Sequence, residues 1–259
     1  MNCRICSGAT QSCFELRSRR HDIVVPVFRC RACDAYFSDG GPVSYDNVDL
    51  IDYYLPHALS IRMRYERLLA KVESLAAPGR FMDIGAGMGF SLEVAIQRGW
   101  TARGLEPNRA LAQHAQGRGL DVENAYLDDN QQGKYELVLL DNVLEHVLDP
   151  ASFLRQAGNL LASSGLMIVA VPPMDWLRKG LAASKYVRDR VSKPQLNIFC
   201  EVDEHVNMLG RRAMALLVRA AGLRLLPMRF HHSKVFDNPL VRALGLDDGY
   251  YLITRAPKG

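Results

Sequence analysis

The sequence of 259 residues is short of several things. No apolar run approaches the roughly 20 residues needed to cross a bilayer, and stretches such as 166–173 (LMIVAVPP) stop far short. The opening MNCRICSGATQSCFE alternates polar and apolar residues, without the basic start and continuous apolar centre of a secretory signal. A soluble, cytoplasmic protein is therefore expected. An excess of one charge is also missing. The 32 Lys and Arg stand against 28 Asp and Glu, a formal +4 scattered along the chain, so the concentrated basic footprint of a nucleic-acid-binding domain is absent. Cysteine is scarce over most of the length: five of six lie at Cys3, Cys6, Cys13, Cys30 and Cys33, and only Cys200 follows. What is plentiful is apolar content, 48% against 23% charged, enough for one sizeable core and a small appendage.

The early cysteines form two C-x-x-C pairs, Cys3/Cys6 and Cys30/Cys33. Two intervening residues let both thiolates of a tight turn reach one ion, so two such turns supply four tetrahedral ligands for zinc. A closed four-sulfur site leaves no position for a substrate water, so its expected role is structural. Empty reduced thiols, a disulfide pair and a redox site are the other readings of the same spacing. Residues 23–28 (IVVPVF) read as a strand between the pairs, and a second short strand includes Tyr36 and Phe37. Cys13 and Cys200 read as ordinary small apolar residues.

From about Tyr45 the pattern changes to helices and short apolar strands in alternation. Residues 56–75 carry apolar side chains at helical spacing and end near Pro78-Gly79, a lead-in helix. Strands are expected at 80–84, 102–105, 121–125, 135–140, 166–171, 223–230 and 250–254, with helices near 91–98, 109–117, 150–161 and 211–221. Strands that are nearly all apolar, separated by helices, imply a largely parallel sheet covered on both faces. The expected architecture is a doubly wound, seven-stranded α/β sheet (residues 45–259) closed by an antiparallel hairpin, behind a small zinc ribbon (residues 1–44).

The first of these strands runs into FMDIGAGMGF (81–90) and then a helix. Gly85, Gly87 and Gly89 allow a sharp turn and let a ligand lie against bare backbone, with helix N-terminal amides beyond. A dinucleotide fingerprint would need glycine at position 90, where the chain has Phe90, which counts against a pyrophosphate cradle. Asp83 precedes the loop, placed to hold it or to meet a ligand ammonium through water. Glu106 ends the second strand, where an acid can accept both hydroxyl hydrogens of a ribose.

These residues resemble the glycine motif and following acid of class I S-adenosylmethionine-dependent methyltransferases. Residues 135–150 (YELVLLDNVLEHVLDP) resemble the fourth-strand motif of their small-molecule branch, with Leu-Glu-His opening the next helix. The resemblance implies a Rossmann-like fold in which Asp83, Gly85, Gly87 and Gly89 surround the methionine part of S-adenosylmethionine and Glu106 holds its ribose. It further implies that Asp128 or Asp129 meets the adenine amine and that Asn142 lies next to the cofactor. The segment RCRACDAYFS (29–38) is similar to part of the four-cysteine ribbon of a group that includes sugar C-methyltransferases. In those enzymes a Tyr-x-Glu-His motif supplies the base; here VDEH (202–205) keeps Glu204 and His205 and lacks the tyrosine.

An activated methyl needs only an aligned nucleophile and, for a hydroxyl or carbon acid, removal of a proton. Histidine suits that task because its ordinary pKa leaves it neutral and basic near pH 7. His205 with Glu204 beside it is the first candidate and His146 the second, while His231-His232 reads either way. Residues 174–200 hold six cations interleaved with apolar side chains. This segment is read as a lid favouring an anionic small molecule such as a nucleotide-linked sugar. A solvated amphipathic helix and a patch resting on a membrane are its rival readings. The expected activity is methylation of a saccharide or nucleotide sugar. Methylation of a phenolic or polyketide hydroxyl is the alternative enzyme, and an inactive, cofactor-binding interaction protein is the alternative of another class.

Overall fold

The computed structural model describes residues 2–17, 24–39, 50–172, 205–231 and 249–255. Two sheets are present. The larger has seven strands, β4 (Arg80–Ile84), β5 (Thr101–Leu105), β6 (Val122–Glu123), β7 (Tyr135–Asp141), β8 (Leu161–Ala170), β10 (Leu223–His231) and β11 (Gly249–Arg255). Their spatial order is β10-β11-β8-β7-β4-β5-β6. Neighbours from β8 to β6 run parallel, whereas β11 pairs antiparallel with both β8 and β10. The expected seven-strand sheet and its closing hairpin are therefore present. The chain enters at the middle in β4, moves to one edge through β5 and β6, and crosses back to β7. Between β4 and β7 the winding direction reverses, which is where an open α/β sheet presents a ligand crevice at its carboxyl ends.

Alternation along each strand decides what lies on each face. Phe81, Leu137, Leu139 and Ile168 face α2 (Ala58–Val72), α3 (Phe90–Gln97) and α4 (Arg109–Gly117). Met82, Ile84, Val138, Leu140, Met167 and Val169 face α5 (Pro150–Asn159) and α6 (Arg211–Ala220). The helix starts are chemically marked. Asn108 accepts the Leu111 amide at the start of α4, and Asp149 accepts that of Ser152 at the start of α5, with Pro150 in the first turn. The lead-in segment is divided: a single turn, α1 (Ile51–Tyr54), and a 3-10 turn precede α2. Leu144–His146 is also a 3-10 turn, and the next helix begins only at Pro150. Proline and its capping aspartate set that start, so the Leu-Glu-His motif lies outside the helix it was expected to open.

The smaller sheet has the order β1-β2-β3-β9, from β1 (Thr10–Arg17), β2 (Val24–Cys30), β3 (Tyr36–Ser38) and β9 (Asn207–Met208). Its first three strands belong to the cysteine-rich head, whereas β9 comes from far along the chain. Cys3, Ile5, Cys30, Cys33, Ala35 and Phe37 share one apolar cluster with α5, α6 and that face of the large sheet. The head is thus packed onto the body.

Candidate active site and four-cysteine cluster

Each C-x-x-C pair closes in the same way. The residue after the second cysteine, Ser7 or Asp34, has a left-handed backbone (φ 57° and 64°). In one turn Ser7 N donates to Cys3 O, and in the other Asp34 N donates to Cys30 O. These two knuckles bring all four sulfurs within 4.8 Å of one another, with Cys3 Sγ 3.4 Å from Cys33 Sγ and Cys6 Sγ 3.5 Å from Cys30 Sγ. A tetrahedral Zn–S bond of about 2.3 Å implies sulfur separations of about 3.8 Å, so the donor set fits zinc. Burial pushes the Cys3 and Cys33 thiols up. Burial also opposes the Cys30 thiolate, but the Cys33 and Ala32 amides and the Cys6 thiol outweigh it and bring Cys30 down to about 7. Cys13 lies on β1 outside this cluster, and Cys200 lies outside the described residues.

The crevice at the carboxyl ends of β4, β5 and β7 begins with the glycine loop. Gly85, Gly87 and Gly89 have φ of 85°, 55° and 77°, in the left-handed region. A Cβ on Gly87 would meet nothing within 4 Å, so this stretch of backbone is open to a ligand. Glu106 is buried at the end of β5 and accepts from Gly87 N (2.7 Å) and Asn108 N (2.8 Å). Two of a carboxylate's roughly four acceptor positions are thereby filled, and the others remain for a diol. Asp83 lies beneath the loop, where its Oδ2 accepts from Ser91 Oγ of α3 and its Oδ1 is buried with no hydrogen bond. Burial pushes its carboxyl up to about 7. An orphaned buried oxygen, open glycine backbone and a half-satisfied acid fit a cationic ligand that carries a ribose.

The fourth side joins Asp141 and its partners on α1 and α2, which had no role of their own in the sequence reading, to Asn142, which did. Asp141 Oδ2 at the end of β7 accepts from Arg64 Nη2 (2.7 Å) and Tyr65 Oη (2.8 Å) of α2. Tyr54 of α1 is raised to about 12 by burial and by the nearby Glu106, Tyr53 and Asp141. Asn142 follows with φ 56°, its backbone N bonded to Ala170 O. Asp128 lies in an exposed turn and accepts from Asn130 N (2.9 Å) and Nδ2 (3.1 Å), while Asp129 accepts from Gln156. An adenine contact by either acid would have to compete with these local bonds.

The structure brings together the two candidate histidines. The rings of His146 and His205 meet edge-on with centroids 4.8 Å apart. Glu145, part of the Leu-Glu-His motif but given no role of its own from the sequence, completes the group: its Oε1 is 3.9 Å from His146 Nε2, and ligand atoms of all three residues lie within 4.8 Å of one another. Both Glu145 carboxyl oxygens are buried without a hydrogen bond, and burial pushes the group up to about 8. Burial lowers His146 to about 4, keeping its imidazole neutral near pH 7. A Cβ on Gly85 would fall 2.8 Å from Val143, so the turn bearing Glu145 and His146 abuts the glycine loop. Glu204, His232 and residues 174–200 lie outside the described residues, and nothing is described of the His231 side chain.

Residues 54–227 match the family described as "Methyltransferase domain", more than half of the chain. The chain belongs to this methyltransferase family. A ubiquinone biosynthesis O-methyltransferase of Caulobacter sp. (strain K31) is 35% identical over 115 residues, 41% of this chain and 45% of the relative. Another, of Rhodopseudomonas palustris (strain TIE-1), is 30% identical over 144 residues, 50% of this chain and 57% of the relative. The matched part of the chain thus spans about half the length of these curated relatives. Among solved structures, magnesium protoporphyrin IX methyltransferase from Synechocystis PCC 6803 with bound SAH superposes with a TM-score of 0.54 at 14% identity, covering 81% of this chain and 89% of that one. The plantazolicin methyltransferase with a substrate analogue and SAH gives 0.56 at 14% identity, covering 79% and 89%. At that identity the likeness is one of fold, and the methyltransferase fold is the one the seven-stranded sheet displays.

Proposed function

We propose that this chain transfers a methyl group from S-adenosylmethionine to a small molecule, a saccharide or nucleotide-linked sugar, with the His146–His205 pair receiving the acceptor's proton. The observation that carries this reading is the cluster formed by Glu145 and His146, on the turn that abuts the glycine loop, with His205 packed against them. When bound, the cofactor supplies an activated methyl on sulfur. The chain's own residues do the rest. Gly85, Gly87 and Gly89 give the methionine part access to backbone, Asp83 holds the loop through Ser91, and Glu106 takes the ribose hydroxyls. Asn142 lines the cofactor, and Asp128 is the acid assigned to the adenine amine. Glu204 is assigned to orient His205. Zinc on Cys3, Cys6, Cys30 and Cys33 fixes the ribbon. The cationic segment 174–200 is assigned to an anionic acceptor.

The sugar class rests on the ribbon's resemblance to enzymes of that group. A phenolic hydroxyl is the second reading, favoured by the ubiquinone O-methyltransferase relatives. Radiolabelled transfer to UDP-glucose and to 3,4-dihydroxybenzoate, with mass spectrometry of the product, separates the two. His205→Ala is expected to lower turnover by about 10²- to 10⁴-fold while cofactor affinity stays unchanged. Unchanged turnover removes His205 from the proposed chemistry.

A further inference from the structure

His205 is not held by the sheet that forms the crevice. It lies two residues ahead of β9 (Asn207–Met208), and β9 is the edge strand of the ribbon's sheet, with Tyr36 opposite Met208 and Phe37 opposite Asn207. The ribbon grips the backbone just ahead of β9 as well. Ser38 Oγ donates to His205 O (3.3 Å), Ser38 N to Val206 O (3.3 Å), and Arg4 Nη1, between the first two cysteines, also to Val206 O (3.0 Å).

The side chain of Asn207 reaches the other way. Its Nδ2 donates to Leu144 O (3.0 Å) and to Val147 O, the carbonyls that bracket Glu145 and His146. Val206, Met208 and Leu209 around it are buried and apolar. Asparagine is a poor strand former, and burying an amide costs free energy unless it is bonded; here the Nδ2 bonds to the turn offset part of that cost, while Oδ1 is buried with no partner. An apolar residue would pack there as its neighbours do, but it would leave the 144–147 turn untied from β9.

We infer that Asn207 is a positioning residue for the proton-accepting site: it fixes the turn carrying His146 against the ribbon-held segment that carries His205 just ahead of β9, and so sets the meeting of the two rings. This rests on the proposed role of the pair in methyl transfer. The consequence is that the cysteine ribbon has a share in the geometry of a site built otherwise by the methyltransferase fold. Ser38 and Asn207 act in series, one on the backbone of His205 and the other on the turn of His146.

The test uses the full chain labelled with ¹⁵N and ¹³C on histidine, with the His146 and His205 ring signals assigned through His146→Gln and His205→Gln. Stacked edge-on, each ring shifts the other's proton signals. In Asn207→Ala, and in the milder Asn207→Ser, which keeps one donor, these mutual shifts are expected to be lost and reduced, respectively. Calorimetric affinity for S-adenosylmethionine is expected to stay within about twofold in both, since neither variant touches the glycine loop. With UDP-glucose or 3,4-dihydroxybenzoate as acceptor, kcat falls by about 100-fold in Asn207→Ala with little change in KM, the cost of an ångström-scale misplacement. Ring signals that stay at their wild-type positions in both variants overturn the inference, whatever turnover does. Ring signals that move while His205→Ala retains full turnover overturn the proton-acceptor reading instead and leave the positioning role standing.

Discussion

Glu145 is the residue at which burial and chemistry conflict most sharply. A carboxyl with both oxygens buried and unbonded is held neutral, and burial raises it to about 8. Its pKa in the folded chain therefore lies above the ordinary carboxylate value, so the folded state holds a proton that the unfolded state releases. Stability is full below about pH 4 and is lost as pH rises through 8. Asp83, raised to about 7, acts in the same direction. Glu145→Gln, followed by thermal denaturation, should leave Tm near pH 5 almost unchanged and raise it at pH 8.5; equal shifts at both pH values would refute the buried neutral acid. At Gly85 the constraint is steric, because φ is 85° and a Cβ would press on Val143 at 2.8 Å. Gly85→Val is expected to cost about 1–3 kcal/mol of stability and to weaken cofactor binding, read by denaturation and calorimetry. The glycines and Glu106 were legible in the sequence because their spacing along adjoining strands is the signal. Glu145 was not, since its importance comes from the two histidines around it, one of them 60 residues away in the chain. Arg64 and Tyr65 were missed for a similar reason: their partner Asp141 is 76 positions from Tyr65, and only folding brings them together.

Among the elements, most strands of the large sheet were read close to their observed bounds, because burial on both faces leaves an apolar run; β8 instead starts at Leu161, five residues ahead of the expected 166, where Ser163, Ser164 and Gly165 interrupt the run. β1 was missed because TQSCFELR mixes polar and apolar residues and shows no run at all. Two-residue β9 carries no periodicity to detect; it is a strand only because β3 offers it an edge. The start of α5 was legible, as proline after a capping aspartate fixes it, yet the preceding 3-10 turn was taken for helix. At this scale the four-cysteine knuckles make a separate prediction. Purified chain should contain about one zinc per molecule by elemental analysis. Cys33→Ser should release it and lower Tm, with the ribbon's amide signals collapsing before those of the large sheet. Retention of the metal in Cys33→Ser would place the ligands elsewhere.

The whole molecule is a sheet with two differently loaded faces. One is covered by α2, α3 and α4; the other carries α5, α6 and the packed ribbon. Both meet through the central strands, where Leu140 is fully buried. Leu140→Ala should cost about 2–5 kcal/mol, measured by denaturant titration, with a single transition if ribbon and body unfold together. Sequence periodicity announced the sheet but not the docking of the ribbon, which depends on shape and on a strand contributed from beyond residue 204. The crevice between β4 and β7 brings together the glycine loop, Glu106 and Asp83, the residues proposed to hold S-adenosylmethionine. Calorimetric titration of the full chain with S-adenosylmethionine tests that directly, beside the same titration of Glu106→Ala. One molecule bound per chain with micromolar affinity, weakened by about 100-fold in the variant as two ribose hydrogen bonds to a charged group are lost, is the predicted result. An absence of binding heat at several temperatures, or an affinity that Glu106→Ala leaves untouched, would contradict it.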